Sequence, residues 1–255
     1  MTKIQKKYKL LKLEPTFNIP VDLRIHTLQN KLTRSFQLYI FLKSTCSGKR
    51  LITQNDRINF SVDLDLKTTK TISNHFKKLL SLNWIGYNPK SKYYFIRSFD
   101  RVKEIENLDY RTAAEFDPKE IRKFKAFIIG AVIGYLVNSQ KKDRRHEPKK
   151  TRKYCSKPGR HPSYFPISSE VLANILNVSQ STAHSYILLA KNAGYIRMKK
   201  NNLEPTGISV SHYQGIKRTY PELNLRIKNN QLFIQKANRY APNIHFKTRK
   251  KTKII

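Results

Sequence analysis

Residues 65–85 read DLKTTKTISNHFKKLLSLNWI, and residues 176–196 read LNVSQSTAHSYILLAKNAGYI. Superposed without gaps, each has a Ser/Thr-rich opening, an apolar stripe and a closing aromatic-Ile pair. The stripe is Ile72, Phe76, Leu79 and Leu82 in the first copy, followed by Trp84-Ile85. In the second it is Ala183, Ile187, Ala190 and Ala193, followed by Tyr195-Ile196. Steps of four, three and three residues lie along one face of an α-helix, so both stretches are predicted helices. Thr68 or Thr69 and Ser179 are placed to cap them.

The flanks repeat as well. An apolar helix is predicted over Ser35 to Thr45 before the first copy, and over Glu120 to Asn138 before the second. The second of these carries inward candidates Phe124, Phe127, Ile128, Ala131, Val132, Tyr135 and Leu136. Ser168 is positioned to cap a short helix, Glu170 to Leu176, with Val171, Leu172 and Ile175 inward. Its counterpart in the first copy, about Asn55 to Asp63, is less regular. After each copy the period falls to two. Gly86-Tyr87, a turn at Asn88-Pro89-Lys90-Ser91 and Tyr93 to Phe99 predict a hairpin. Behind the second copy come Tyr195 to Lys199, an irregular stretch through Tyr220-Pro221, and Leu223 to Gln235 turning at Asn229-Asn230.

The expected fold class is therefore mainly α with small β-hairpins, an α+β chain of two similar domains. Their limits are set at 25–99 and 119–240, between a basic arm (1–24) and a basic tail (241–255). Residues 100–118, where Asp100, Glu104, Glu106, Asp109, Glu115 and Asp117 gather, read as the connector. Residues 141–163 carry ten Lys or Arg and break into the second domain. An insertion of that length without structure is expected to be disordered and to add affinity for a polyanion.

Charge narrows the function. The chain has 51 Lys plus Arg against 17 Asp plus Glu in 255 residues, a net charge of +34. Such an excess repels itself, and a polyanionic partner offsets that cost. Nucleic acid is the expected partner; charge alone leaves anionic membrane surfaces and acidic proteins as competitors. The 39% hydrophobic and 11% aromatic content fills two modest cores, which excludes a disordered basic tail. Cys46 and Cys155, far apart, give no disulfide framework and point to a reducing, cytoplasmic compartment. No secretion signal is expected, because Lys3, Lys6, Lys7 and Lys9 precede no apolar run. The longest apolar block, Ala126 to Val137, falls short of the roughly 20 residues that span a bilayer. Its Gly130 and Gly134 suit close packing in a core, and no membrane partner is expected.

The string VSQSTAHSYILLAKNAGYI resembles the recognition-helix region of winged helix-turn-helix proteins, through Ser179, Ser181, Thr182, Ala183, Gly194 and Ile196. In the first copy Thr68, Thr71 and Ile72 fit the pattern, with Asn83 in place of the Gly. The resemblance implies two such domains, each laying the start of its third helix in the major groove of duplex DNA and its wing along the backbone or minor groove. The implied groove-facing residues are Thr69, Lys70, Thr71, Ser73 and Asn74, then Gln180, Ser181, Thr182, His184 and Ser185. Gln and Asn can pair bidentately with adenine, and Ser and Thr serve base edges or phosphates. Lys70, Lys77, Lys78 and Lys191 are implied phosphate contacts; Lys90, Lys92 and Arg97, with Lys199 and Lys200, fall on the wings. Tandem winged helices also resemble plasmid replication initiators. Leu188 and Leu189 depart from the pattern, at positions that are normally polar. They imply a surface covered by the other domain or by a second subunit, as in a homodimer.

No catalytic site is expected. The chain has no Gly-rich phosphate loop, HExxH or paired CxxC, and no nucleophile signature. His146, Cys155 and His161 match no standard zinc spacing, and Asp63 and Asp65 lie in a predicted turn, not in a convergent metal site. No cofactor is expected either. The open alternatives are a sequence-specific DNA binder, regulator or replication initiator of a mobile or viral element, and a structural binder of DNA or RNA that reads no sequence.

Overall fold

Thr68 and Ser179 each accept a hydrogen bond, at 3.2 Å, from the backbone N–H three residues on. They cap helices Thr69–Ser81 and Gln180–Asn192, which match in length and keep the same register to one another as the two sequence copies. The computed structural model describes residues 16–146 except 47, 67, 110 and 111, and 164–248 except 202, 221 and 222.

The helices, in chain order, are α1 (Val21–Gln29), α2 (Thr33–Thr45), α3 (Gln54–Asp63), α4 (Thr69–Ser81) and α5 (Phe99–Ile105). The second half adds α6 (Phe124–His146), α7 (Ser169–Leu176), α8 (Gln180–Asn192) and α9 (Tyr213–Thr219). The strands of the first half are β1 (Phe17–Pro20), β2 (Lys49–Leu51), β3 (Ile85–Asn88), β4 (Tyr93–Ile96) and β5 (Thr112–Phe116). Then come β6 (Phe165–Pro166), β7 (Ile196–Lys199), β8 (Leu203–Pro205), β9 (Leu225–Lys228), β10 (Gln231–Gln235), β11 (Arg239–Pro242) and β12 (Phe246–Thr248). The result is an α+β chain with small antiparallel sheets of three strands.

Both halves run helix, strand, helix, helix, hairpin, and their sheets are wired alike. The order β2-β4-β3 in the first half has its counterpart in β6-β11-β7 in the second. In each, the strand before the second helix pairs with the returning arm of the hairpin. The two stripes are the inner faces: Ile72, Phe76 and Leu79 are buried, as are Ala183, Ile187 and Ala190. Asn83 and Gly194 stand at equivalent places and both take a left-handed φ (56° and 83°), which turns the chain into the strand. The irregular first-half segment forms a regular helix, α3, because Thr53 and Asp56 close a reciprocal capping box.

Several expectations are corrected. Val171 is not inward: α7 buries Leu172, Ala173 and Leu176 instead, and Val171 is 48% exposed. The first hairpin ends at Ile96, and Phe99 opens α5, capped by Ser98. The turn Asn229-Asn230 has both residues at positive φ, as a two-residue hairpin loop requires. That hairpin, β9–β10, is not the partner of β7, which pairs with β11. The irregular stretch before it contains β8 and α9. One register runs through two paired segments, with Lys199 opposite Arg239 and, four residues further, Leu203 opposite Gln235. Residues 196–199 with 239–242, and 203–205 with 233–235, thus keep one register across an interrupted ribbon. Its interruption is stitched by Asn201, whose amide donates to Ala237 O at 2.5 Å and whose N–H donates to Asn238 Oδ1 at 3.3 Å.

The described parts of the stretches read as arm, connector and tail are structural. Phe17 and Ile19 of β1 are core, β5 from the connector pairs with β1, and β12 from the tail pairs with the other edge of β5. Arg24 of α1, fully buried, donates to Ile19 O and, at 3.0 Å, to Ala114 O, tying β1 to β5. Burial lowers its pKa to about 9, against the raising effect of Asp22. The first six residues of the basic insertion extend α6 as far as His146; 147–163, with Cys155 and His161, lie outside the described residues.

Helix α6 is buried almost all round from Phe124 to Ile133, and one continuous cluster of buried side chains runs from Phe17 to Tyr240. The glycine pair permits this. A Cβ on Gly130 would lie 2.6 Å from Tyr195 Cβ, and one on Gly134 would lie 2.9 Å from Pro242 Cβ. Among the described residues no helix is long and apolar enough to cross a membrane.

Candidate nucleic-acid interface

Because α4 and α8 each bury one stripe, the opposite faces are fixed in direction. On α4, Lys70, Asn74, Lys77 and Lys78 are exposed, and Thr69, Thr71 and Ser73 are half-buried. On α8, Gln180, Ser181, His184, Ser185 and Lys191 are exposed and Thr182 is half-buried. Neither helix contains an acidic residue. Lys90 and Lys92 are exposed at the tip of the first hairpin, where Asn88 Oδ1 accepts from the backbone of Lys90 (2.9 Å) and Ser91 (3.3 Å) and shapes the turn. Lys199 and Lys200 are exposed at the end of β7.

Several of these side chains already hold internal bonds. Ser73 Oγ accepts from Arg57 of α3 at 3.1 Å, and Arg57 also donates to Tyr94 Oη at 3.3 Å while lying over the Phe76 ring. Gln180 donates to Ser169 Oγ at 3.1 Å. Thr71 bonds the capping hydroxyl of Thr68, and Ser181 and Thr182 bond that of Ser179. Ser185 donates back to Ser181 O at 3.1 Å. The hydroxyl-rich openings therefore build the helix ends first; Lys70, Asn74, Lys77 and His184 are the outward groups that extend past them.

Sequence reasoning missed what joins the helices. A cleft of about 620 Å³ lies between the halves, lined by Lys31, Arg34, Lys125, Ser179, Thr182 and Tyr186 among others, with no carboxylate. Arg34 and Lys125 are the second residues of α2 and α6, so the two repeats supply equivalent cations to it. Lys125 lies 4.7 Å from the centre of the Tyr186 ring. Burial, and then the charge of Arg34, lower its pKa. The same two causes lower the pKa of His75 on α4, whose ring nitrogen is 3.0 Å from Ser35 Oγ. Arg34 thus acts electrostatically on groups facing both helices. Only the alignment of the first helices of the two repeats would have paired these residues.

Leu188 and Leu189 are 36% and 41% exposed, and among the described residues the other half of the chain does not cover them. The first-copy residues aligned with them are Lys77 and Lys78. Among the described residues no group of three or more His, Cys, Asp or Glu is placed to hold a metal. Comparison of the chain with protein-family models, curated proteins and solved structures finds no significant match.

Proposed function

We propose that the chain is a DNA-binding protein built on two winged helix-turn-helix units, which reads sequence in duplex DNA and performs no chemistry on it. The observation that carries this is the pairing of α4 and α8. The two helices have the same length, cap and register, present acid-free outward faces, and are bridged by a basic cleft with no carboxylate. Acid-free first turns leave the positive ends of both helix dipoles available to phosphates. Lys70, Lys77, Lys78, Lys90, Lys92, Lys199 and Lys200, with Arg34 and Lys125, hold the backbone. Asn74, Gln180 and His184 are the base-reading candidates, with the Ser and Thr hydroxyls beside them. A regulator or replication initiator of a mobile or viral element fits this arrangement, and a second copy of the chain would cover Leu188 and Leu189.

Recovery and sequencing of bound fragments from a random duplex pool tests the proposal, and a common motif is the expected result. The second reading is a structural nucleic-acid binder, favoured by the net charge of +34. Competition with bulk duplex separates the two: a sequence reader keeps a preference for its site of about 10³ or more. A preference for RNA in the same competition would overturn the DNA assignment.

A further inference from the structure

Strand β4 is the centre of the β2-β4-β3 sheet, and its side chains alternate between two faces. Tyr94 and Ile96 turn inward: Ile96 is buried, and the Tyr94 ring lies 5.4 Å from that of Phe76. Tyr93 and Phe95 therefore turn outward, 38% and 41% exposed. The register places Leu51, itself 48% exposed, beside Tyr93, and Lys49 beside Phe95. The Lys49 ammonium is 5.9 Å from the centre of the Tyr93 ring. On the other side Phe95 is paired with Gly86, which adds no side chain, and a Cβ there would meet nothing within 4 Å. One flank of the Phe95 ring is thus open onto a shallow pocket of about 520 Å³, bounded by Pro89, Lys90 and Arg97. The Arg97 guanidinium is fixed by Asn83 Oδ1 at 2.6 Å. No residue of these strands, or of the turn joining β3 to β4, is acidic.

We propose that this sheet face stacks the bases of unpaired, single-stranded DNA, with Tyr93 and Phe95 as platforms and Lys49, Lys90 and Arg97 holding the strand's phosphates. Two outward rings, roughly 7 Å apart along one strand, offer π-faces to two successive bases. Duplex DNA is a poor occupant, because its base faces are already stacked on one another. A second copy of the chain is a poor one too, since it would press two acid-free cationic faces together. An unpaired strand satisfies both the rings and the charge. The second repeat lacks the device: by sheet register the equivalents of Tyr93 and Phe95 are Arg239 and Ala241. The site adjoins the Lys90 and Lys92 turn, so a strand leaving a bound duplex reaches it directly. This proposal rests on the DNA-binding function given above.

The test uses the full chain and a labelled single-stranded DNA of mixed sequence, with the same sequence as duplex and as RNA. The double variant Tyr93→Ala/Phe95→Ala is expected to lose about tenfold or more in single-strand affinity, with duplex affinity unchanged. Tyr93→Phe/Phe95→Tyr keeps both π-faces and is expected to bind as the parent does, which separates stacking from a general loss of fold. Single-strand binding that is absent in the parent, or insensitive to the alanine pair, overturns the inference while leaving the duplex proposal standing. Tighter binding of the RNA overturns the choice of DNA, and self-association abolished by the alanine pair identifies a second copy as the occupant instead. Failure to bind either form of DNA defeats the proposed function itself.

Discussion

The indole N–H of Trp84 donates to the carboxylate of Glu106 at 2.6 Å. At the equivalent position in the second repeat, the hydroxyl of Tyr195 donates to Glu120 at 2.8 Å. The two aromatic residues that close the repeats are thus received by acids from one short stretch between them. Glu106 also pairs with His26 at 3.1 Å, Asp22 with Lys103 at 3.3 Å, and Glu115 with Lys247 at 3.6 Å. Glu106, Glu120, Asp22 and Glu115 thus hold distant segments together, whereas α4, α8 and the strands of the first sheet carry no acid.

Glu106→Ala should lower stability by about 1–3 kcal/mol, the usual cost of leaving a buried donor without its acceptor. Glu106→Gln retains an acceptor for Trp84 and should cost less. Urea unfolding measures both, as a shift in midpoint at constant slope. Equal losses would show that the carboxylate's contact with His26, not the indole bond, is what matters.

Gly130→Ala should destabilise the protein by about 1–3 kcal/mol, although alanine is the better helix former. The added methyl would lie 2.6 Å from Tyr195 Cβ, an atom that cannot swing aside without moving the chain. Thermal unfolding of the variant would reveal the cost, and an unchanged midpoint would mean that the helix and the second repeat separate easily.

Gln180→Ala/His184→Ala should relax base preference within one half of the recognised site, at about 1–3 kcal/mol for each true base contact. Lys70→Ala/Lys77→Ala should instead weaken binding evenly across sequences. Titration on the preferred site and on its single-base variants distinguishes these patterns, and even losses from the first pair would refute the base-reading role.

Duplex affinity should fall steeply with salt, with a log–log slope steeper than about −6, since each neutralised phosphate contributes about −0.9. Arg34→Ala/Lys125→Ala should flatten that slope by about one contact each. A parent slope near −2 would mean that the charge faces something other than a polyphosphate.

Asp56 should contribute to stability in a pH-dependent way. Burial raises its pKa, but hydrogen bonds from Thr53 and the charge of Arg50 outweigh this and hold it below its ordinary 3.8. A carboxyl depressed on folding stabilises above its unfolded pKa, and the gain is lost as pH falls through the folded value. Asp56→Asn should therefore narrow the stability difference from the parent below about pH 4. A constant difference from neutral to acid pH would assign the effect to hydrogen-bond geometry alone.

The parts legible in the sequence were those with a local signal: the stripes of α4 and α8, the caps at Thr68, Ser168 and Ser179, and the Asn229-Asn230 turn. The strands β1, β5 and β12 were not legible, because Phe17, Phe116 and Phe246 belong to one sheet only through partners far away in sequence. The pairing of β7 with β11 was hidden for the same reason, some forty residues separating the two strands. Val171 misled because a short apolar helix fits two rotations, and packing chose the one that buries Ala173. Among the proposed contacts, residue type was readable but engagement was not: nothing near Ser73 announces Arg57, sixteen positions earlier.

The unbroken core around α6 has a consequence for how the protein would measure DNA. Two recognition helices on a flexible tether can follow half-sites at many spacings, but helices cast into one body work as a fixed gauge. Their separation and relative twist are set by the shared core, so under the proposed function a second half-site would have to present itself at one distance and one angular phase. Inserting about five base pairs between the half-sites would carry one of them to the far side of the duplex, where the paired helix cannot follow.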